Sequence, residues 1–346
     1  MRLMFSPQFT ITNQLLANIK HINSLITALN TGRFPNVILL EFERTARAVS
    51  TYASTSIEGN PLPLTEVKEI LKAKPTHIRE SEREVLNYNE ALEDLNMKIS
   101  TTHLNISLKL ILSIQKKVTN MLLPAFDSGH LRQKPVVIND PRNGKTVFLP
   151  PDAKDVQPMM EDLIHFVDTN RDTIDPLILA GIFHKQMVIL HPFIDGNGRT
   201  TRLATKVLLA EMGINTFSLF SFENYYNKNV TKYFQTVGEY GDYYELKKKI
   251  DFTSWLEYFT EGIIDELLRV QKILPESAHT PQTELHPHHH VLLKHIQDNG
   301  YISDREYAKL TDRAKATRRL DFKKLLDLGM IERKAKGKAT YYILKK

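Results

Sequence analysis

The sequence predicts a mostly α protein with a small, basic α+β module at its C-terminal end, and three observations carry that expectation. Apolar residues recur every three or four positions through most of residues 8–274, which is the period of a helix with one buried face. A single stretch, residues 134–151, breaks into strand-like runs instead. The charge is also uneven: residues 288–346 hold 15 Lys and Arg against 7 Asp and Glu, whereas residues 1–287 hold 31 against 33. A length of 346 residues exceeds what one core usually organises, so at least two domains are expected.

Residues 8–29 and 41–58 have helical spacing; in the second, Phe42, Ala46, Val49, Ala53 and Ile57 form the apolar stripe, and Gly59 and Pro61 end it. Residues 87–97 and 106–122 read as further helices. In 134–151, Val136, Val137 and Ile138 face Thr146, Val147, Phe148 and Leu149 across Asn143-Gly144, a hairpin signal whose outer edge could pair with an extended segment of another chain. Asp175-Pro176 is a cap followed by proline at the first helical position, opening an apolar helix that runs to His191. Residues 199–212 form the next helix, closed by Gly213. His184 reads as a packed histidine, the aromatics of 216–234 as a helix pair, and Trp255, within the helices of 242–274, as a core residue.

Residues 275–287 have three prolines and no apolar period, so they read as a linker, with His286, His288, His289 and His290 as its solvated end. From 288 the order is helix, Gly300, a short helix at 304–310, a basic helix at 314–328, Gly329, and two short strands within 331–344. This order is similar to a winged helix. Arg313, Lys315, Arg318, Arg319, Lys323 and Lys324 are dense enough to neutralise phosphates, and Lys334, Lys336 and Lys338 fall where a wing meets a nucleic-acid backbone. DNA is one expected partner of this module; docking to a protein is the other.

Cysteine is absent, which excludes disulfide frameworks, thiolate metal sites and cysteine nucleophiles. Residues 1–30 do not read as a signal peptide, and no run of about 18 apolar residues occurs. A cytoplasmic, non-membrane protein is expected.

The chemistry concentrates in residues 191–202, HPFIDGNGRTTR. Gly196 and Gly198 let the backbone turn its amides toward an anion, and a helix beginning near Asn197 adds its positive end. Arg199 and Arg202, three apart, would project toward that same anion. Asp195 could hold a divalent cation between phosphates. His191, with an ordinary pKa of about 6.5, suits the removal of a proton from an attacking hydroxyl. These residue types together point to nucleotidyl transfer.

The stretch resembles the Fic family signature HxFx[D/E]GNGRxxR at every fixed position, with Thr201 where many relatives have glycine. The resemblance implies a helical bundle with the hairpin as a flap, over roughly residues 35–274, divided into a helical region at 1–100 and a catalytic core at 101–274. It also implies transfer of AMP from ATP to a Ser, Thr or Tyr hydroxyl of a protein, or of the chain itself. His191 would be the base, Asp195 the Mg²⁺ ligand, and Gly196, Asn197, Gly198, Arg199, Thr200 and Arg202 the phosphate site, with Phe193 an anchor. Tyr225, Asn229, Tyr233 and Phe234 match a spacing found near the adenine, and the 134–151 hairpin would dock the target's strand. STSIEGN at 54–60 is similar to the family's inhibitory motif [S/T]xxxE[G/N], which makes Ser54, Glu58 and Gly59 an autoinhibitory turn whose carboxylate would pair with Arg202. Two other readings use the same residues: a DNA-binding regulator that senses nucleotide, and a hydrolase that removes AMP with water. Homo-oligomers are compatible with all three.

Overall fold

A computed structural model describes residues 5–31, 36–73, 75–139, 144–214, 217–274, 285–328, 330–335, 337 and 340–345. The chain divides into two compact units, residues 1–31 with 42–273 and residues 32–41 with 274–346. The expected turn at 140–143, Gly329, Lys336, Lys338 and most of the 275–287 linker lie outside the described residues.

The first unit is helical. Its helices are α1 (Asn13–Thr31), α2 (Asn36–Ile57, of which residues 42–57 belong to this unit), α3 (Leu64–Lys72), α4 (Glu80–Thr101), α5 (Leu108–Val118), α6 (Ala153–Asn170), α7 (Pro176–Leu190), α8 (Asn197–Leu209), α9 (Glu223–Lys228), α10 (Val230–Val237), α11 (Tyr243–Leu246) and α12 (Thr253–Ile273). α7 is buried nearly all round and packs against α6, α8 and α12, because its sequence is apolar on every face. Asp175 caps it, its carboxylate accepting from the Leu177 amide at 2.8 Å, with Pro176 at the first position. α5 and α4 flank α8, and α1 lies along α12. Trp255 is fully buried and donates to the Gly181 carbonyl at 2.8 Å. His184 is buried between the hydroxyls of Thr205 and Tyr233, both at 3.0 Å, as a packed histidine.

β1 (Ile138–Asn139) and β2 (Thr146–Leu149) pair antiparallel, with Ile138 opposite Phe148. The strand ladder is shorter than expected, since Val136 and Val137 stay outside it. β3 (Gly241–Asp242) adds parallel to β2, so the second strand has both edges paired and only the β1 side of the hairpin is an outer edge. Phe148, 1% exposed, pins the hairpin to the body; a fully buried phenylalanine contributes about 1.5–3 kcal/mol.

The second unit contains α13 (Pro287–Asn299), α14 (Asp304–Leu310), α15 (Lys315–Asp327) and an antiparallel pair, β4 (Ile331–Lys334) with β5 (Tyr341–Leu344). Ile302 bridges Tyr342 as a third short strand position. Leu292, Ile296, Ile302, Tyr307, Phe322, Leu325 and Ile331 form its own core. Ser303 caps α14 reciprocally with Glu306.

Candidate functional site

His191 ends α7 in a left-handed conformation, φ 45° and ψ 61°, where the chain leaves the buried helix and turns toward α8. Such a conformation is uncommon for a residue with a Cβ, and it aims the ring out of the helix register. Behind it, Phe193 is fully buried, its amide donating to Asn197 Oδ1 and its carbonyl accepting from Asn197 Nδ2, each at 2.9 Å. The Asn197 side chain therefore closes the loop, leaving its backbone amide for an anion. Gly196 has φ 78°, and a Cβ there would stand 2.8 Å from Thr119 Cγ2 on the segment after α5, so only glycine fits. Buried Gln115 supports the same loop by donating to the Asp195 carbonyl at 3.2 Å.

The two arginines of the motif do not converge on one point. Arg199 donates to Asp195 at 2.9 Å and to Glu84 of α4 at 3.1 Å. Arg202, fully buried, donates from Nε to Ser54 Oγ at 2.8 Å, and from Nη2 to the Ser54 carbonyl at 2.8 Å and Glu58 Oε1 at 2.7 Å. Burial opposes the charge of Arg202, but the Glu58 carboxylate together with the hydroxyls of Tyr233 and Tyr88 outweighs it, so the guanidinium is held above its ordinary pKa. Gly59, at φ 93°, ends α2 and lets Glu58 reach across. A Cβ on Gly198 would lie 1.9 Å from Glu58 Oε1: the carboxylate sits against the first turn of α8, where the free amides of a helix N-terminus gather.

These residues could hold a polyphosphate. Arg202 Nη1, Arg199 Nε and Thr200 Oγ1 are buried polar atoms without hydrogen-bond partners, beside a helix N-terminus and next to a carboxylate already acting as an anion there. Asp195, exposed and held by Arg199, is a carboxylate suited to Mg²⁺ alongside phosphate oxygens. His191 has its pKa lowered, by burial first and also by the Arg132 charge, against the opposite pull of the Val188 carbonyl, Glu58 and Asp195. That shift favours the neutral ring, and the buried Nδ1 has no hydrogen-bond partner among the described residues, so the imidazole is in the form that can take a proton.

Asn229 caps α10, its side chain accepting from the Lys232 amide at 3.0 Å, and Tyr233 is buried against His184. Tyr225 leans on Tyr226 and Tyr258, with its hydroxyl 3.4 Å from Glu261, while Phe234 is exposed. Thr201 is fully buried on α8.

In the second unit, the histidine segment is not a solvated linker end: α13 begins at Pro287, and His289 is 2% exposed. Buried Asp321 accepts from the Tyr307 hydroxyl at 2.9 Å and from Arg313 at 2.9 and 3.1 Å. His288 Nδ1 faces an Arg313 N–H at 3.4 Å, and His289 Nδ1 accepts from the His286 amide at 3.0 Å. Both rings thus keep their proton on Nε2, pointed at Asp321 Oδ1 at 3.3 and 3.6 Å. That tautomer turns an N–H rather than a lone pair toward Asp321, with His288 within hydrogen-bond distance of the carboxylate and His289 packed just beyond it. Two of the expected phosphate-binding cations are also spent internally, Arg313 on Asp321 and Arg318 on Asp304. Lys315, Arg319 and Lys323 remain exposed on α15.

Residue types alone did not single out Glu84, Gln115, Thr119 or Arg132. The residues of 191–202 that they meet lie 59 to 115 positions away in the chain, and no local period marks them.

Residues 105–209 match the Fic/DOC family. Over 208 residues the chain is 26% identical to a protein adenylyltransferase Fic of Drosophila grimshawi, covering 59% of this chain and 41% of that one. Over 167 residues it is 31% identical to a protein adenylyltransferase of Caenorhabditis elegans, covering 47% and 31%. The chain thus spans well under half the length of these relatives. A crystal structure of a Fic family protein from Desulfovibrio desulfuricans superposes with a TM-score of 0.64 at 20% identity, over 98% of both chains, and shares the fold. A loop with two glycines between two buried helices, with His191 at its start, is what residues 105–209 build, and these residues match the Fic/DOC family and are homologous to protein adenylyltransferases.

Proposed function

We propose that the first unit is a protein adenylyltransferase that moves AMP from ATP to a hydroxyl side chain, and that the conformation described is its autoinhibited state. The observation that carries this reading is Glu58 at 2.7 Å from Arg202, against the first turn of α8, with His191 a few residues away at the mouth of the same loop. The His191 imidazole takes the proton of the acceptor hydroxyl, the oxygen bonds to the α-phosphorus, the bond from that phosphorus to the bridging oxygen breaks, and pyrophosphate leaves. The α8 amides and the arginines orient the phosphates, and Phe193 with Asn197 keep the loop rigid while they do so. Mg²⁺, when held by Asp195, would neutralise charge on the phosphates. The acceptor segment is proposed to pair with the β1 side of the hairpin, since β3 covers the other edge.

Incubation with Mg·ATP followed by intact-mass measurement tests the reading: addition of one AMP to the chain, or to a protein in a lysate, is expected, and binding of ATP without any modification would overturn it. Asp195→Ala is expected to lose Mg²⁺-dependent nucleotide binding along with activity, because its carboxylate is the acid of the motif that faces the phosphate site. A magnesium titration by calorimetry that matches the parent would instead make Asp195 a partner of Arg199 only.

We further propose a winged-helix reading of the second unit, with the exposed row Lys315, Arg319 and Lys323 facing a nucleic-acid backbone. Binding of the full chain to duplex DNA is then expected to weaken steeply with salt, and deletion of 288–346 to remove it while AMP transfer persists. A mobility-shift assay at low salt that detects no binding would favour protein docking.

A further inference from the structure

Arg132 is 2% exposed, and among the described residues its side chain makes no ion pair. It spends its donors on four carbonyls: Nε on His191 at 2.8 Å, Nη1 on Lys134 at 3.2 Å, and Nη2 on Pro151 and on Leu190, the latter at 3.4 Å. Its own amide donates to the Pro192 carbonyl at 3.0 Å. Lys134 and Pro151 are the two feet of the β1–β2 hairpin, while Leu190, His191 and Pro192 are the corner where α7 gives way to the anion loop. One planar fork therefore ties both ends of the flap to the backbone of the residue proposed as base. That residue is in the left-handed conformation at φ 45°, a conformation that persists when surrounding bonds over-determine it. A lysine can supply the charge but not four directed bonds.

We propose that Arg132 is a positioning residue that holds His191 in register with the hairpin, so that an acceptor segment docked on the flap meets the base at attacking distance. The inference rests on the adenylyltransferase reading. Arg132 touches none of Asp195, Arg199 or Arg202, so its role separates from nucleotide binding. The charged groups around the His191 ring are Glu58, Asp195 and Arg132 itself.

The test uses the full chain carrying Glu58→Gly, with Mg·ATP as substrate and self-modification read by intact mass. Arg132→Lys is expected to slow AMP incorporation about 10- to 100-fold, the cost of misplacing a reacting group by about 1 Å, while Mg·ATP affinity by calorimetry stays within about twofold. The acid limb of the rate profile should stay in place with lysine, which retains the cation, and move to higher pH in Arg132→Met, which removes it. Assays run well below the lowest melting temperature of the set keep loss of fold from being read as loss of position, and Arg132→Gln replaces the methionine variant if that one does not fold. Incorporation at the parent rate in Arg132→Lys, or transfer and nucleotide affinity falling together, overturns the proposal. Histidine-labelled NMR reads the same geometry without turnover: the His191 ring resonance, assigned by its loss in His191→Ala, should be single in the parent and split or broadened in Arg132→Lys. An unchanged resonance overturns the positioning role even if the parent transfers no AMP, whereas absence of AMP in the parent with a perturbed resonance in the variant strikes only the adenylyltransferase reading.

Discussion

Replacing Glu58 by glycine is expected to raise AMP incorporation by about 10- to 100-fold. The carboxylate and Arg202 Nη2 form a charge-assisted hydrogen bond at 2.7 Å, with the guanidinium wholly buried and the acid's side chain 29% exposed. Bonds of that kind contribute roughly 1.5–3 kcal/mol, and a tenfold change corresponds to about 1.4 kcal/mol. An incoming triphosphate has to displace this bond and also overcome the repulsion of a negative group already against the α8 amides. Glycine removes both, while Ser54 still fixes Arg202 through Oγ and its carbonyl. The variant should also melt earlier without ligand, because a buried guanidinium loses its counter-charge, and regain stability on Mg·ATP. Arg202→Ala combined with Glu58→Gly should show no gain. Equal incorporation by the wild type and Glu58→Gly at saturating Mg·ATP would refute autoinhibition by Glu58.

The parts of this arrangement that were legible in the sequence are those set by neighbours. The Asp175-Pro176 start, the Gly59 stop, the helix beginning at Asn197 and the short helix at 304–310 each depend on a residue within one turn, and each is found there. α6 shows the limit: its stripe Val156, Met160, Leu163 and Val167 is regular, yet Pro158 inside it reads as a breaker, and packing against α7 overrides that local signal. α3 is too short for its two buried residues, Val67 and Ile70, to define a period. Within the site, spacing placed Arg199 and Arg202 toward one anion, but the fold divides them between two carboxylates, Glu84 and Glu58, on different helices. No rule of local spacing could assign those partners, because they are chosen by how α2 and α4 pack against α8. The histidine segment at 286–290 shows the same effect, where composition suggests solvent and a buried aspartate 32 residues beyond His289 draws it into a core instead.

His191→Ala is expected to remove nearly all transfer while leaving nucleotide affinity within a few-fold. The imidazole acts on the incoming hydroxyl, whereas the phosphates meet α8, Arg199 and Arg202, none of which bonds to the ring. Loss of a general base costs about 10²–10⁴ in rate. The pH dependence gives the sign. Burial, aided by the Arg132 charge, lowers the His191 pKa, so the base form already prevails in mildly acidic solution. Transfer by the Glu58→Gly chain should therefore fall only as pH drops through a value below the ordinary histidine range, and be flat above it until another group titrates. Glu58 is one of the charges that raise the His191 pKa, so its removal should push this limb further toward acid than in the wild type. Alanine at 191 should remove the limb altogether, leaving a slow, pH-independent residue of activity from phosphate positioning alone. A His191→Ala chain that retains both the parent rate and the parent's acid limb, measured as AMP incorporation across pH at saturating Mg·ATP, would mean that the proton goes elsewhere and that the left-handed corner at His191 serves only to shape the loop.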